Sequence, residues 1–84
     1  MWGSYCENVL EKRVPYRQEH LDGLKKQKED GILVTIGPTK DTTQVFGIYE
    51  AADEETVRKL VENDPYWKNG IWTEYFVKEW VQAF

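Results

Sequence analysis

Few side chains in this sequence can do acid–base chemistry. There is one histidine, His20, and one cysteine, Cys6. A single histidine excludes a multi-histidine zinc site within one chain. An imidazole titrates near neutrality, so His20 is the natural general base if a carboxylate orients it. Asp64, at the end of the second predicted helix on the same sheet face, is one carboxylate that could reach it. Each residue also has a plainer reading. An aspartate before a proline commonly organises a turn through its own side chain, and a lone histidine beside an apolar stripe can be a core-edge residue bonded to a carbonyl. Arg17 stands one turn before His20, so both can point toward one site. A guanidinium there suits a substrate carboxylate or a developing enolate oxygen, and it would equally suit a surface ion pair. Tyr66, Trp67 and Trp72 are candidates to line an aromatic pocket, although Trp72 reads better as part of a dimer core. Pro38, after Gly37, either shapes a pocket wall or simply ends a strand. Cys6 has no basic neighbour in sequence to lower its pKa, so it is not expected to be a nucleophile. Gly-rich phosphate loops, metal-ligand clusters and a Ser-His-Asp order are absent.

The elements that must position these groups follow from pattern and punctuation. Met1 to Cys6 reads as a short strand diluted by Gly3 and Ser4. A charged connection, Asn8 to Val14, leads to Pro15, which suits the first turn of a helix. That helix is predicted over 15–30, with Arg17, Leu21, Leu24 and Lys28 on one stripe and Tyr16, His20 and Gln27 beside it. Gly31 is placed to be the left-handed residue after its end. Ile32 to Ile36 is a β-branched strand that Gly37-Pro38 should stop. After a polar loop, Val45 to Glu50 is the next strand. Asp53 is a good N-cap for a second helix with Val57, Leu60 and Val61 on its apolar stripe. That helix must end near Asn63, because Pro65 disfavours helical dihedrals at Asp64. A turn-rich loop precedes the last strand, Ile71 to about Trp80. The order β-α-β-β-α-β predicts a ferredoxin-like α+β fold, an antiparallel sheet with both helices on one face.

Eighty-four residues allow one domain, which buries roughly two-thirds of the surface of its unfolded chain. A net charge of −4 argues against nucleic acid as a partner. No apolar run approaches the ~18 residues needed to cross a bilayer, and the start lacks the pattern of a signal peptide. With one cysteine and no internal disulfide, a cytoplasmic location is expected. Strand alternation puts Trp72, Phe76 and Trp80 on one face of the last strand and Ile71, Tyr75 and Val77 on the other. Both sheet faces are then too apolar for water, and two helices cover only one. A second copy of the chain is the expected cover for the other.

The ordered set Arg17-x-x-His20-Leu21, a helix ending at Gly31, Gly37-Pro38 after a strand, Gly47 in the next strand, and Asp64-Pro65-Tyr66 resembles the YciI-like (YCII-related) family of the dimeric α+β barrel superfamily. The resemblance covers nearly the whole chain. It implies a ferredoxin-like subunit, a homodimer with two sheets face to face, and a pocket where His20 and Asp64 meet as catalytic residues, with Arg17, Pro38 and Tyr66 as substrate-binding residues. It also implies a small lyase or isomerase that removes a proton next to a carbonyl of an acidic or ring-derived metabolite. The alternative is a dimeric module that binds a small molecule without turnover. Neither reading calls for a metal, nucleotide or other cofactor.

Overall fold

A four-stranded antiparallel sheet organises the chain, in the order β2-β3-β1-β4. The computed structural model describes residues 1–84. Its strands are β1 (Trp2–Tyr5), β2 (Leu33–Pro38), β3 (Gln44–Tyr49) and β4 (Trp72–Phe76); its helices are α1 (Val9–Lys12), α2 (Arg17–Glu29), α3 (Glu54–Asn63) and α4 (Pro65–Lys68), with a 3₁₀ turn at Val14–Tyr16. This is the ferredoxin-like arrangement expected from the sequence, with two short helices added in the connections. No helix is long and apolar enough to cross a membrane.

The short first strand lies inside the sheet, between β3 and β4. Gly3 permits this close packing: a Cβ there would meet Val45 Cγ1 at 3.0 Å and the Glu74 carbonyl oxygen at 3.1 Å. Val9, Val45, Val57, Val61, Tyr66, Ile71, Trp72 and Val77 form the core on the helix side. α3 is capped by Asp53, whose carboxylate accepts from the Thr56 backbone N–H at 2.9 Å and its hydroxyl at 2.7 Å. Those two bonds hold the Asp53 carboxyl below the usual range. α2 ends at Gly31, in the left-handed region with φ 78°.

Four local expectations are corrected. The charged connection contains α1, entered through Asn8 at φ 56°. β2 runs through Gly37 to Pro38, which pairs with Val45; β2 is an edge strand, where a missing N–H is tolerated. The loop after α3 contains α4. The last strand stops at Phe76, and Val77 adds to the core beyond it.

Two further corrections concern faces. On α2 the inward side is not centred on Leu21, which is 38% exposed; His20 is the helix's one buried residue. Tyr16, His20, Leu24 and Gln27 turn inward and Arg17, Leu21 and Lys28 outward. Trp72 is likewise not on the open sheet face. Ser4 pairs with Glu74, but Tyr5 pairs with Trp72. One residue of β1 thus spans two of β4, a bulge that breaks the alternation. Trp72 enters the core at 2% exposure, while Phe76 stays outside at 55%.

Candidate functional site

Thirteen residues are buried, and only His20 and Asp64 among them are polar or charged side chains. They meet. His20 Nδ1 lies 2.8 Å from each Asp64 carboxylate oxygen. A carboxylate only accepts, so Nδ1 carries the proton and donates. Asp64 Oδ1 also accepts the Tyr66 backbone N–H at 2.8 Å. The aspartate therefore both caps α4, where a loop was expected, and holds the histidine, as the resemblance implied. Pro65 follows at the first position of α4, where proline is favoured.

Aromatic rings fix the imidazole plane. Tyr66 stacks on His20 with ring centroids 3.6 Å apart and planes 7° from parallel. Trp72 meets His20 edge-on at 5.3 Å and Tyr66 edge-on at 5.7 Å. His20 Nε2 has no hydrogen-bond partner in the protein. The only side-chain polar atoms both sealed from solvent and unpartnered are Gln27 Oε1 and Trp72 Nε1. Nε2 thus keeps a path outward, and so do the hydroxyls of Tyr5 and Tyr66. An imidazole that donates through Nδ1 to a carboxylate and leaves Nε2 open is oriented to take a proton.

Burial and nearby charge shift several phenols of the same subunit. Burial pushes the Tyr66 hydroxyl above its usual pKa; Arg13 and Arg17 oppose the shift, while Tyr5 and Asp64 add to it. Tyr5 is raised by burial and by Asp64, against the Trp72 N–H and Arg13. Tyr49 is raised first by burial and then by the Asp64 charge. All three phenols keep their protons at neutral pH. Arg17 is exposed and Arg13 half-buried. Neither has an ion-pair partner: the pairs in the chain are His20–Asp64, Lys26–Asp30 and Arg58 with Glu54 and Glu55. Tyr66, His20 and Asp64 are thus brought to one place, while Arg17, one turn before His20, is exposed on the outward side of α2. Pro38 is exposed at the end of β2, in a row that runs through Val45 and Gly3 to Tyr75; that row is two residues from Tyr5. Trp67 packs edge-on against Tyr75 at 5.0 Å, away from the imidazole stack.

Tyr5, Arg13 and Tyr49 were missing from the residues read as candidates. For Arg13 helical spacing gave no signal, since it closes α1 and lies outside α2. Pro15, read as the start of the helix, placed Arg13 outside it.

The profile of the YCII-related domain matches residues 1–81. The chain belongs to this family. Its fold is also that of the 5-chloro-2-hydroxyhydroquinone dehydrochlorinase of Burkholderia phenoliruptrix, solved in complex with 2,5-dihydroxybenzoquinone. That protein is 28% identical to this YCII-related chain at a TM-score of 0.82, over 98% of this chain and 91% of the other. No curated protein matches the chain significantly.

Proposed function

We propose that this YCII-related protein is a cofactor-independent lyase or isomerase, in which His20, oriented by Asp64, removes a proton next to a carbonyl of a small, acidic or ring-derived metabolite. The observation that carries the reading is the asymmetry of His20: Nδ1 is committed to both oxygens of a buried carboxylate, and Nε2 has no partner. The dehydrochlorinase of the same fold supports an elimination on a hydroxylated ring. In such a step Nε2 forms a bond to the proton. On an aromatic ring that proton comes from a hydroxyl: its O–H pair becomes part of a C=O bond, the ring takes up a proton at the chlorine-bearing carbon, and loss of a second hydroxyl proton expels chloride with the C–Cl pair. One proton and one chloride are lost, so no external oxidant or reductant is required. Arg17 and the Tyr66 hydroxyl would hold the oxygen on which charge develops, and Pro38 would bound the substrate from β2.

The functional unit in this reading is a homodimer through the open sheet face. Trp2, Phe46 and Phe76 are 38%, 40% and 55% exposed there. Trp2 and Phe46 stack with centroids 4.8 Å apart, and a recess of about 390 Å³ opens between Trp2 and Phe76. A second copy laid on this face would cover the rings and fill the recess.

Chloride release from 5-chloro-2-hydroxyhydroquinone tests the catalytic reading. The wild-type protein should release chloride, and His20→Asn should lower the rate about 10³-fold while fold and assembly persist. Release unaffected by the substitution would refute the role of His20. Tight binding without any release would favour the non-catalytic module.

A further inference from the structure

On the reading of His20 as the base, we propose that Tyr66 is a second positioning residue beside Asp64: its ring face steadies the positive charge that the imidazole acquires when Nε2 takes a proton. Three features of the site carry this role.

The first is the geometry of the contact. Tyr66 and His20 stack with ring centroids 3.6 Å apart and planes 7° from parallel. Both residues are buried, at 2% and 6% exposure. Parallel rings this close have little sideways offset, the arrangement that two neutral rings favour least. A positive charge on one of them reverses that preference, because the face of a phenol ring carries the negative part of its quadrupole. Attraction of a cation to such a face is strongest where water is excluded. The imidazole is neutral before the proton moves and positive afterwards, so the stack favours the later state. An interaction that grows toward the transition state raises turnover rather than substrate affinity.

The second is how the ring is held. Asp64 Oδ1 accepts both the His20 Nδ1–H and the Tyr66 backbone N–H, each at 2.8 Å. Pro65 opens α4 between Asp64 and Tyr66. Three consecutive residues thus supply the carboxylate at the edge of the imidazole and the ring over its face. The Tyr66 backbone cannot shift without disturbing the carboxylate that orients His20.

The third is the placement of Trp72. It meets both rings edge-on, at 5.3 Å from His20 and 5.7 Å from Tyr66. Nearly equal distances put it at the side of the stack rather than over the imidazole. The one salt bridge of His20 is with Asp64, which meets the charge in the ring plane at Nδ1. Of the two aromatic neighbours, Tyr66 alone lies parallel to the imidazole and meets the charge from above that plane.

The test replaces Tyr66 with phenylalanine and with phenylalanines bearing one, two and three ring fluorines, introduced through an expanded genetic code. Every member lacks the hydroxyl, so any hold of that hydroxyl on the substrate drops out of the comparison. Shape changes little along the series, while each fluorine draws negative charge from the ring face. Chloride release from 5-chloro-2-hydroxyhydroquinone should fall stepwise, by about tenfold in kcat from the unfluorinated to the trifluorinated ring. KM should stay within about twofold, and melting should not change. Proton NMR of the ligand-free Tyr66→Phe protein should show the His20 ring protons shifted upfield by the stacked ring, as in the wild type, and Tyr66→Leu should lose that shift. A flat kcat along the series, a loss confined to KM, or His20 protons without the upfield shift in the wild type would overturn the inference. A flat series beside an inactive His20→Asn would overturn it alone and leave His20 as the base. Absence of release in the wild type, or full activity in His20→Asn, would overturn the catalytic reading and this role of Tyr66 together.

Discussion

Asp64 holds two unlike donors, the imidazole Nδ1–H of His20 and the backbone N–H of Tyr66. Removing it should therefore be felt twice. Asp64→Ala leaves both donors buried and unpaired, each costing about 1–3 kcal/mol, so urea unfolding should show a loss of about 2–5 kcal/mol. Asp64→Asn keeps an acceptor but no charge, and its amide can present the wrong group to Nδ1. It should fold nearly as well and lose about 10²–10⁴-fold in turnover. A larger effect of Asn than Ala on stability would contradict this division. The site was legible at this scale to the extent that it rests on residue type. One histidine and one Asp-Pro after a helix placed both residues on the helical layer, and the family resemblance was what paired His20 with Asp64. Tyr5 and Tyr49 could not be found that way, because a tyrosine in a short strand looks the same whether its hydroxyl meets solvent or a carboxylate. Other tyrosines bear on pH stability. Burial and the hydrogen bond to Glu62 raise Tyr75 to about 12. Its folded form keeps a proton that the unfolded chain releases near 10, so stability falls as pH rises from 10 to 12. Tyr75→Phe should flatten that alkaline loss in a melting series; an unchanged slope would mean that the other raised phenols, Tyr5, Tyr49 and Tyr66, account for it.

Secondary-structure order was legible because its punctuation is strong: Asp53 caps α3, Gly31 closes α2 and Pro65 ends one helix and starts the next. The orientation of elements was less so. α2 carries leucines at 21 and 24, and counting apolar residues centres the inward side on them. The helix instead turns so that His20 is buried, because Asp64, Tyr66 and Trp72 offer a carboxylate and two rings that Leu21 could not use. The bulge at Ser4–Tyr5 leaves no mark in a reading by alternation, and it alone moves Trp72 from the open face to the imidazole. Trp72→Ala should therefore cost about 3–5 kcal/mol and disturb the His20 environment. Phe76→Ala should leave the subunit's folding intact and weaken self-association. Calorimetric melting of both variants, with sizing at several concentrations, separates the two effects. Equal behaviour would put both rings in one layer.

For the molecule as a whole, the sheet separates two tasks. The helix side buries the acid–base pair, and the opposite side shows Trp2, Phe46 and Phe76. An interface between obligate partners typically buries on the order of 2,000 Å² or more. Light scattering behind a sizing column should give twice the chain mass of 10.0 kDa; a stable single-chain mass at high concentration would refute the dimer. In the proposed reading function depends on the other side, where His20 is held between Asp64 and Tyr66. Because His20 is the only histidine, nitrogen-15 NMR of imidazole-labelled protein reads that ring without ambiguity. At a pH where the ring is neutral, the account predicts a proton on Nδ1 and a bare, basic Nε2. Replacing Asp64 with Asn should then shift the tautomer or mix it. A proton on Nε2 in the wild-type protein, with Nδ1 bare beside the carboxylate, would contradict the account at its centre.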